Sequence, residues 1–197
     1  MNPVPLGLLP KNATVQADGS LAIGGCDIAE LAAQFGTPLF VYDEAHLRAR
    51  CAEAVAAFGP GRAYYATKAF LCTAMARLAY EEGMHLDVAS GGELFTALRA
   101  GVPANALAFH GNNKSVAELR MAINEGVRHI VLDSFDELDR LDALHAEGLP
   151  APKVLARITP GVHAHTHEFI ATGQDDSKFG FNLGNGDAHR AIDRMRR

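Results

Sequence analysis

Three times in this chain a short apolar run is followed within a few residues by Ser-x-x-Glu. The runs Leu86–Ala89, Leu107–His110 and His129–Leu132 precede Ser90-Gly-Gly-Glu93, Ser115-Val-Ala-Glu118 and Ser134-Phe-Asp-Glu137. This is the spacing of a capping box, in which the serine side chain accepts the N–H of the third helical residue and the glutamate reaches back to the serine N–H. Each run therefore reads as a strand, and each box as the turn into a helix. Gly101, Gly126 and Gly148 follow the three helical patterns, where a left-handed residue closes a helix. Further runs at Ala63–Thr67 and Val154–Ile158 extend the series to five, with centres roughly 20–25 residues apart, the length of a strand, a helix and two loops. Strands alternating with helices pair in parallel through right-handed crossovers. The runs are apolar without alternation, as in strands covered on both faces. An open doubly wound sheet and a (β/α)8 barrel both fit. No G-x-G-x-x-G follows the first strand, and the period never changes, so the expectation is an α/β fold built as part of a (β/α)8 barrel with about five βα units.

The first 40 residues break the period. Asp27–Phe35 reads as a short helix capped by Asp27 and stopped by Gly36 and Pro38. Leu39–Tyr42 reads as a strand, and Asp43 caps a long helix to about Phe58, closed by Gly59-Pro-Gly61. Two segments are expected: 1–42, and a barrel portion over 43–197. With 48% hydrophobic residues and 21% charged, the chain can bury a core and is not disordered. Its net charge of -5 argues against nucleic acid or an anionic membrane surface as partner. No apolar run nears the roughly 20 residues of a membrane span, and Met1–Thr14 lacks the pattern of a secretory signal. Cys26, Cys51 and Cys72 are far apart and read as reduced thiols, so a cytoplasmic location is expected.

Barrel sites lie at the C-terminal ends of the strands. That selects Lys68, Asp87, His110, Asp133 and Arg157. A lysine at a barrel mouth can be desolvated into a nucleophilic amine able to form a Schiff base. It can equally be a solvated loop residue. Asp87 could accept a hydrogen bond from a cofactor ring or simply end its strand. Arg157 lies in an apolar run and must be paired. It could face a cofactor oxygen or form an ion pair with Asp87 or Asp133. His163, His165 and His167 would share one face if extended, but they lie in a loop bracketed by glycines, and no metal site is expected.

These residues sit in motifs that carry a resemblance. Tyr65-Ala-Thr-Lys-Ala69, Asp87-Val-Ala-Ser-Gly-Gly-Glu-Leu94, His110-Gly-Asn-Asn-Lys-Ser115, Arg157-Ile-Thr-Pro-Gly161 and the run His165–Gly180 resemble the diaminopimelate decarboxylases. These are pyridoxal 5'-phosphate (PLP) enzymes of the alanine-racemase-like fold, related to ornithine and arginine decarboxylases. The resemblance runs from about Thr37 to Phe181. It implies decarboxylation of meso-2,6-diaminopimelate to L-lysine and CO2, a step of lysine biosynthesis. It implies that Lys68 carries PLP, that Asp87 lies beside the cofactor and that Arg157 bonds its phenolic oxygen. His110 lies at the cofactor end of its strand. The loop around Ile170 would shape the substrate pocket, and Lys178 would meet an acidic residue of a partner subunit in a homodimer.

The family's ring-stacking histidine, glycine-rich phosphate loop, E-P-G-R-like run and acid cysteine of a C-terminal β domain are not found in this sequence. Segment 1–42 would pack on such a β domain. The chain ends inside what reads as the helix after the fifth strand. A complete barrel takes about 250 residues. The expectation is an incomplete and inactive piece of such an enzyme. A non-catalytic PLP-binding module or regulatory paralogue is the alternative from another class. Another decarboxylase of the same fold, or a racemase, is the alternative within it.

Overall fold

A computed structural model describes residues 5–161 and 179–196. His163, His165, His167, Ile170 and Lys178 lie outside the described residues. The chain divides into two compact units, Met1–Ala63 and Tyr64–Arg197.

The amino-terminal unit opens with one 3₁₀ turn at Leu6–Leu8, then three short strands, β1 (Thr14–Val15), β2 (Leu21–Ile23) and β3 (Cys26–Asp27). They form an antiparallel sheet in the order β1-β2-β3. Ile23 pairs with Cys26 across Gly24-Gly25, whose φ angles are +60° and +80°. A two-residue hairpin with both central residues at positive φ is a turn only glycine enters freely. Helix α1 (Ile28–Phe35) follows at once, its start held by Asp27, which accepts the N–H groups of Ala29 at 2.7 Å and Glu30 at 3.1 Å. Helix α2 (Glu44–Phe58) is capped by Asp43, which accepts the N–H of His46 at 2.9 Å and a hydrogen bond from the Asn12 amide. Those bonds hold the Asp43 carboxyl below its ordinary range, the His46 N–H most of all.

Residues 39–42, expected as a strand, carry no regular secondary structure. The unit's sheet is made instead by β1–β3, and the Phe40 side chain is 86% exposed rather than packed on a sheet face.

The second unit is the repeat. Strands β4 (Tyr64–Ala66), β5 (His85–Val88), β6 (Leu107–Phe109), β7 (His129–Leu132) and β8 (Val154–Ala156) form one sheet, hydrogen-bonded in that order and parallel throughout. Helices α3 (Thr73–Glu81), α4 (Gly91–Arg99), α5 (Val116–Glu125) and α6 (Phe135–Ala146) connect them. Unbroken sequential order without a switch point is the wall of a (β/α)8 barrel, not a doubly wound sheet. The register sets Leu86 beside Leu107, Val88 beside Phe109, and Phe109 in turn beside Ile130. Each of these five side chains is fully buried, as are Ala79 of α3, Leu94 of α4, Leu119 of α5 and Leu144 of α6. Burying one such leucine contributes about 1.5–3 kcal/mol. Side chains alternate along a strand, so Asp87, Ala108 and His110 project from the opposite face, which the barrel would turn inward.

Two details differ from the sequence reading. After β9 (Ile158–Thr159) the chain forms β10 (Phe181–Asn182), which pairs in parallel with β9, and only then helix α7 (Asp187–Met195). The last helix therefore follows a sixth strand rather than the fifth. Two residues in polar surroundings give no apolar run to read. The three serine–glutamate boxes also close differently. All three serines accept the N–H of the third helical residue, but only Glu118 returns to its own serine. Glu93 accepts instead from Ala89 N at 2.7 Å, and Glu137 from Asp133 N at 2.9 Å. Their remaining capacity goes to the loop after the preceding strand, where Glu93 accepts from Thr67 and Glu137 from Lys114.

Candidate active site

Lys68 stands on a single 3₁₀ turn, Thr67–Ala69, at the end of β4. The turn is fastened on both sides. Upstream, the Tyr65 hydroxyl donates to Phe70 O at 2.7 Å, closing the loop on itself. Thr67 is 1% exposed, and its Oγ1 lies 2.6 Å from Glu93 Oε2 and 2.9 Å from Asp87 O. A hydroxyl has one proton, and the shorter contact, to a carboxylate, is the stronger bond. Lys68 itself is exposed on this fixed turn.

Strand register carries the site sideways. Ala66 pairs with Asp87, and Asp87 with Ala108, so Asp87 follows Lys68 across one strand boundary and His110 follows across the next. His110 Nδ1 lies 3.1 Å from Asp87 Oδ1 and 3.2 Å from Oδ2. A carboxylate only accepts, so Nδ1 carries the proton and donates. The loop after His110 turns sharply at Gly111 (φ +108°), where a Cβ would stand 2.9 Å from Ala89 O. That backbone approach requires glycine.

At the far side of the sheet, Arg157 lies between β8 and β9. Its Nη1 donates to Asp133 Oδ1 at 2.9 Å, and its guanidinium carbon lies 4.4 Å from the centre of the Phe179 ring. Of the two acidic partners the sequence allowed, Asp133 takes the arginine and Asp87 takes the histidine.

Sequence reasoning missed Lys114 and Glu137. Lys114 is 1% exposed. Its Nζ donates to Gly111 O at 2.6 Å, Val131 O at 2.7 Å and Glu137 Oε2 at 3.1 Å. Glu137 Oε1 accepts the Lys114 N–H at 3.1 Å. Burial pushes the amine below its ordinary range, with the carboxylate of Glu137 opposing the shift. The pair ties the 110–114 loop to α6. The signal was the lysine of the His110–Ser115 run, with glutamate at the third position of α6, the helix after the following strand.

A cavity of about 700 Å³ in the amino-terminal unit, lined largely by apolar residues such as Ile23, Leu31, Phe35 and Phe40, contains none of these groups. The chemistry-bearing residues lie instead on consecutive strand ends of the second unit.

Residues 44–197 match the family model of the pyridoxal-dependent decarboxylases, pyridoxal binding domain. The chain belongs to this family. It is 52% identical over 187 residues to diaminopimelate decarboxylase of Mycobacterium leprae, covering 94% of this chain and 40% of that protein. It is 52% identical over 181 residues to diaminopimelate decarboxylase of Bacillus subtilis, covering 90% and 41%. Among solved structures it resembles diaminopimelate decarboxylase from M. jannaschii in co-complex with L-lysine, with a TM-score of 0.81 and 34% identity over 95% of this chain and 45% of that one. The likeness to lysine/ornithine decarboxylase of Vibrio vulnificus is weaker, with a TM-score of 0.57 and 26% identity over 67% and 35%. The chain thus spans about two fifths of the length of the curated relatives it matches. The donor set suits the family's cofactor. An amine on a fixed turn, a carboxylate–histidine pair and a guanidinium lie at the ends of β4, β5, β6 and β8 of one sheet. No helix among the described residues is long and apolar enough to cross a membrane.

Proposed function

We propose that this chain supplies the PLP-binding strands of a decarboxylase that converts meso-2,6-diaminopimelate to L-lysine and CO2. The observation that carries the reading is Lys68, displayed on a turn pinned by Tyr65 and Thr67 beside the Asp87–His110 pair. The choice of substrate is supported by relatives at about half identity that bear the name diaminopimelate decarboxylase.

Bound PLP supplies an electron sink, which lets CO2 leave the α-carbon of an amino acid joined to it. The residues of this chain prepare that chemistry. Lys68 would hold the cofactor through its amine and be displaced by the substrate's own amine. Its neighbours hold the Lys68 backbone in place, so that this amine is presented at one position. Asp87 and His110 form a polar wall with a fixed direction of hydrogen bonding. Arg157 presents positive charge where the phenolic oxygen of PLP would lie. The same reading has two subunits meeting at Lys178 in a cytoplasmic enzyme.

The test is substrate choice by the complete PLP-loaded decarboxylase to which this chain contributes its strands. The reading expects CO2 release from meso-diaminopimelate, with ornithine, arginine and lysine turned over at least tenfold more slowly. Preference for one of those three would move the chain to a sister activity. PLP uptake without release from any of the four would favour a binding module.

A further inference from the structure

At the end of β7 stands Asp133, with a side chain 1% exposed. A carboxylate this deep is tolerated only when paired and hydrogen-bonded. It has two partners of different kinds. Oδ1 accepts from Arg157 Nη1 at 2.9 Å, and Oδ2 accepts the backbone N–H of Gly180 at 3.1 Å. The second bond matters for the first, because a carboxylate held at both oxygens cannot rotate away from the arginine. Phe179 closes the other side, its ring centre 4.4 Å from the guanidinium carbon. The backbone completes the grip: Phe181 N–H donates to Arg157 O at 2.7 Å. Gly180 (φ +73°) comes so near that a Cβ there would lie 2.7 Å from Arg157 O.

The pair is lopsided in exposure. Arg157's side chain is 27% exposed against 1% for Asp133. The ion pair is also made through one nitrogen rather than as a two-pronged fork. A guanidinium has five N–H donors in a rigid plane, so this grip fixes the plane while leaving donors for another acceptor. We propose that Asp133 is a positioning residue, which with Phe179 and Gly180 sets the Arg157 guanidinium at the barrel mouth so that its remaining N–H groups meet the phenolic oxygen of PLP. This rests on the functional reading above, in which Arg157 serves the cofactor.

The experiment has two readouts. In the PLP-free protein, the Nε–H signal of Arg157 is assigned by its loss in Arg157→Lys, and its hydrogen exchange is measured. Asp133→Asn is expected to accelerate that exchange at least tenfold while the circular dichroism spectrum is kept. In the PLP-loaded protein, Asp133→Asn is expected to shift the visible band of the cofactor in the direction that Arg157→Lys does, and the double variant to shift it no further. If Asp133→Asn does not fold, Asp133→Glu keeps the charge, lengthens the arm by one methylene and is expected to move both readouts. A folded Asp133 variant with exchange and band as in the parent would overturn the proposal, as would band shifts that simply add in the double variant. Failure of the parent to take up PLP would instead refute the functional reading, and the exchange measurement would still decide whether Asp133 orients Arg157.

Discussion

His110 points its Nδ1 at both carboxylate oxygens of Asp87, 3.1 and 3.2 Å away, across the boundary between β5 and β6. Neither residue is deeply buried, with side chains 39% and 27% exposed, so the contact is dispensable for the core. Asp87→Asn should leave thermal unfolding nearly unchanged and weaken PLP binding by about tenfold, the loss of one hydrogen bond to a charged group. Titration of the cofactor's visible absorbance measures it. An Asp87→Asn variant binding PLP as tightly as the parent would place Asp87 outside the site.

Thr67 separates hydroxyl from shape. Thr67→Val keeps the volume but removes the donor to Glu93 at 2.6 Å, and should cost about 1–3 kcal/mol. Thr67→Ser keeps the donor and should cost less than about 1 kcal/mol. Urea unfolding of the two variants makes the comparison. Equal losses would mean that the methyl group, not the hydroxyl, is what the turn needs.

The Lys114–Glu137 pair is buried on both sides, at 1% side-chain exposure each. Removing one partner leaves the other charge stranded, so Lys114→Ala should lose about 3–5 kcal/mol. The pH dependence has a defined sign. The amine is lowered in the folded state from the ordinary value of 10.5. Between the lowered value and 10.5 the unfolded chain holds more protons, so this group's contribution to stability rises with pH there. Relative to Lys114→Met, the parent should gain stability on moving into that alkaline window. A difference between the two that is flat with pH would contradict the burial of the amine.

At the opposite end of the strands, His129 is lowered from 6.5, by burial first and then by the charges of Arg128 and Lys153. Protonating it favours the unfolded chain, so its contribution to stability is present above 6.5 and is lost as pH falls toward the lowered value. Arg128→Gln should raise the titration midpoint of the His129 ring, followed by proton NMR. A midpoint that stays put would leave burial and Lys153 as the whole cause.

The parallel sheet was legible because each strand is a continuous apolar run that ends in a helix signal, and Leu86, Leu107 and Ile130 are buried together accordingly. The candidate site positions followed from the barrel rule, which brought out Lys68, Asp87, His110 and Arg157. What escaped notice lacked a period. Strands β1–β3 have two or three residues each, and their evidence was confined to Asp18-Gly19 and Gly24-Gly25. Leu39–Tyr42 has strand-like composition and no strand role, because composition does not supply a ladder. The glutamates of the three boxes stand at the expected third helical position, but only Glu118 returns to its own serine, and the reach of Glu93 to Thr67 and of Glu137 to Lys114 depends on loops that meet only once the sheet is formed.

The central claim is that Lys68 holds the cofactor, and the direct measurement is borohydride reduction of the PLP-loaded protein followed by peptide mass spectrometry. A pyridoxyl adduct is expected on the peptide containing Lys68, and none in Lys68→Ala. An adduct on Lys11, Lys114 or Lys153 in place of Lys68, or an unchanged adduct yield in Lys68→Ala, would contradict it.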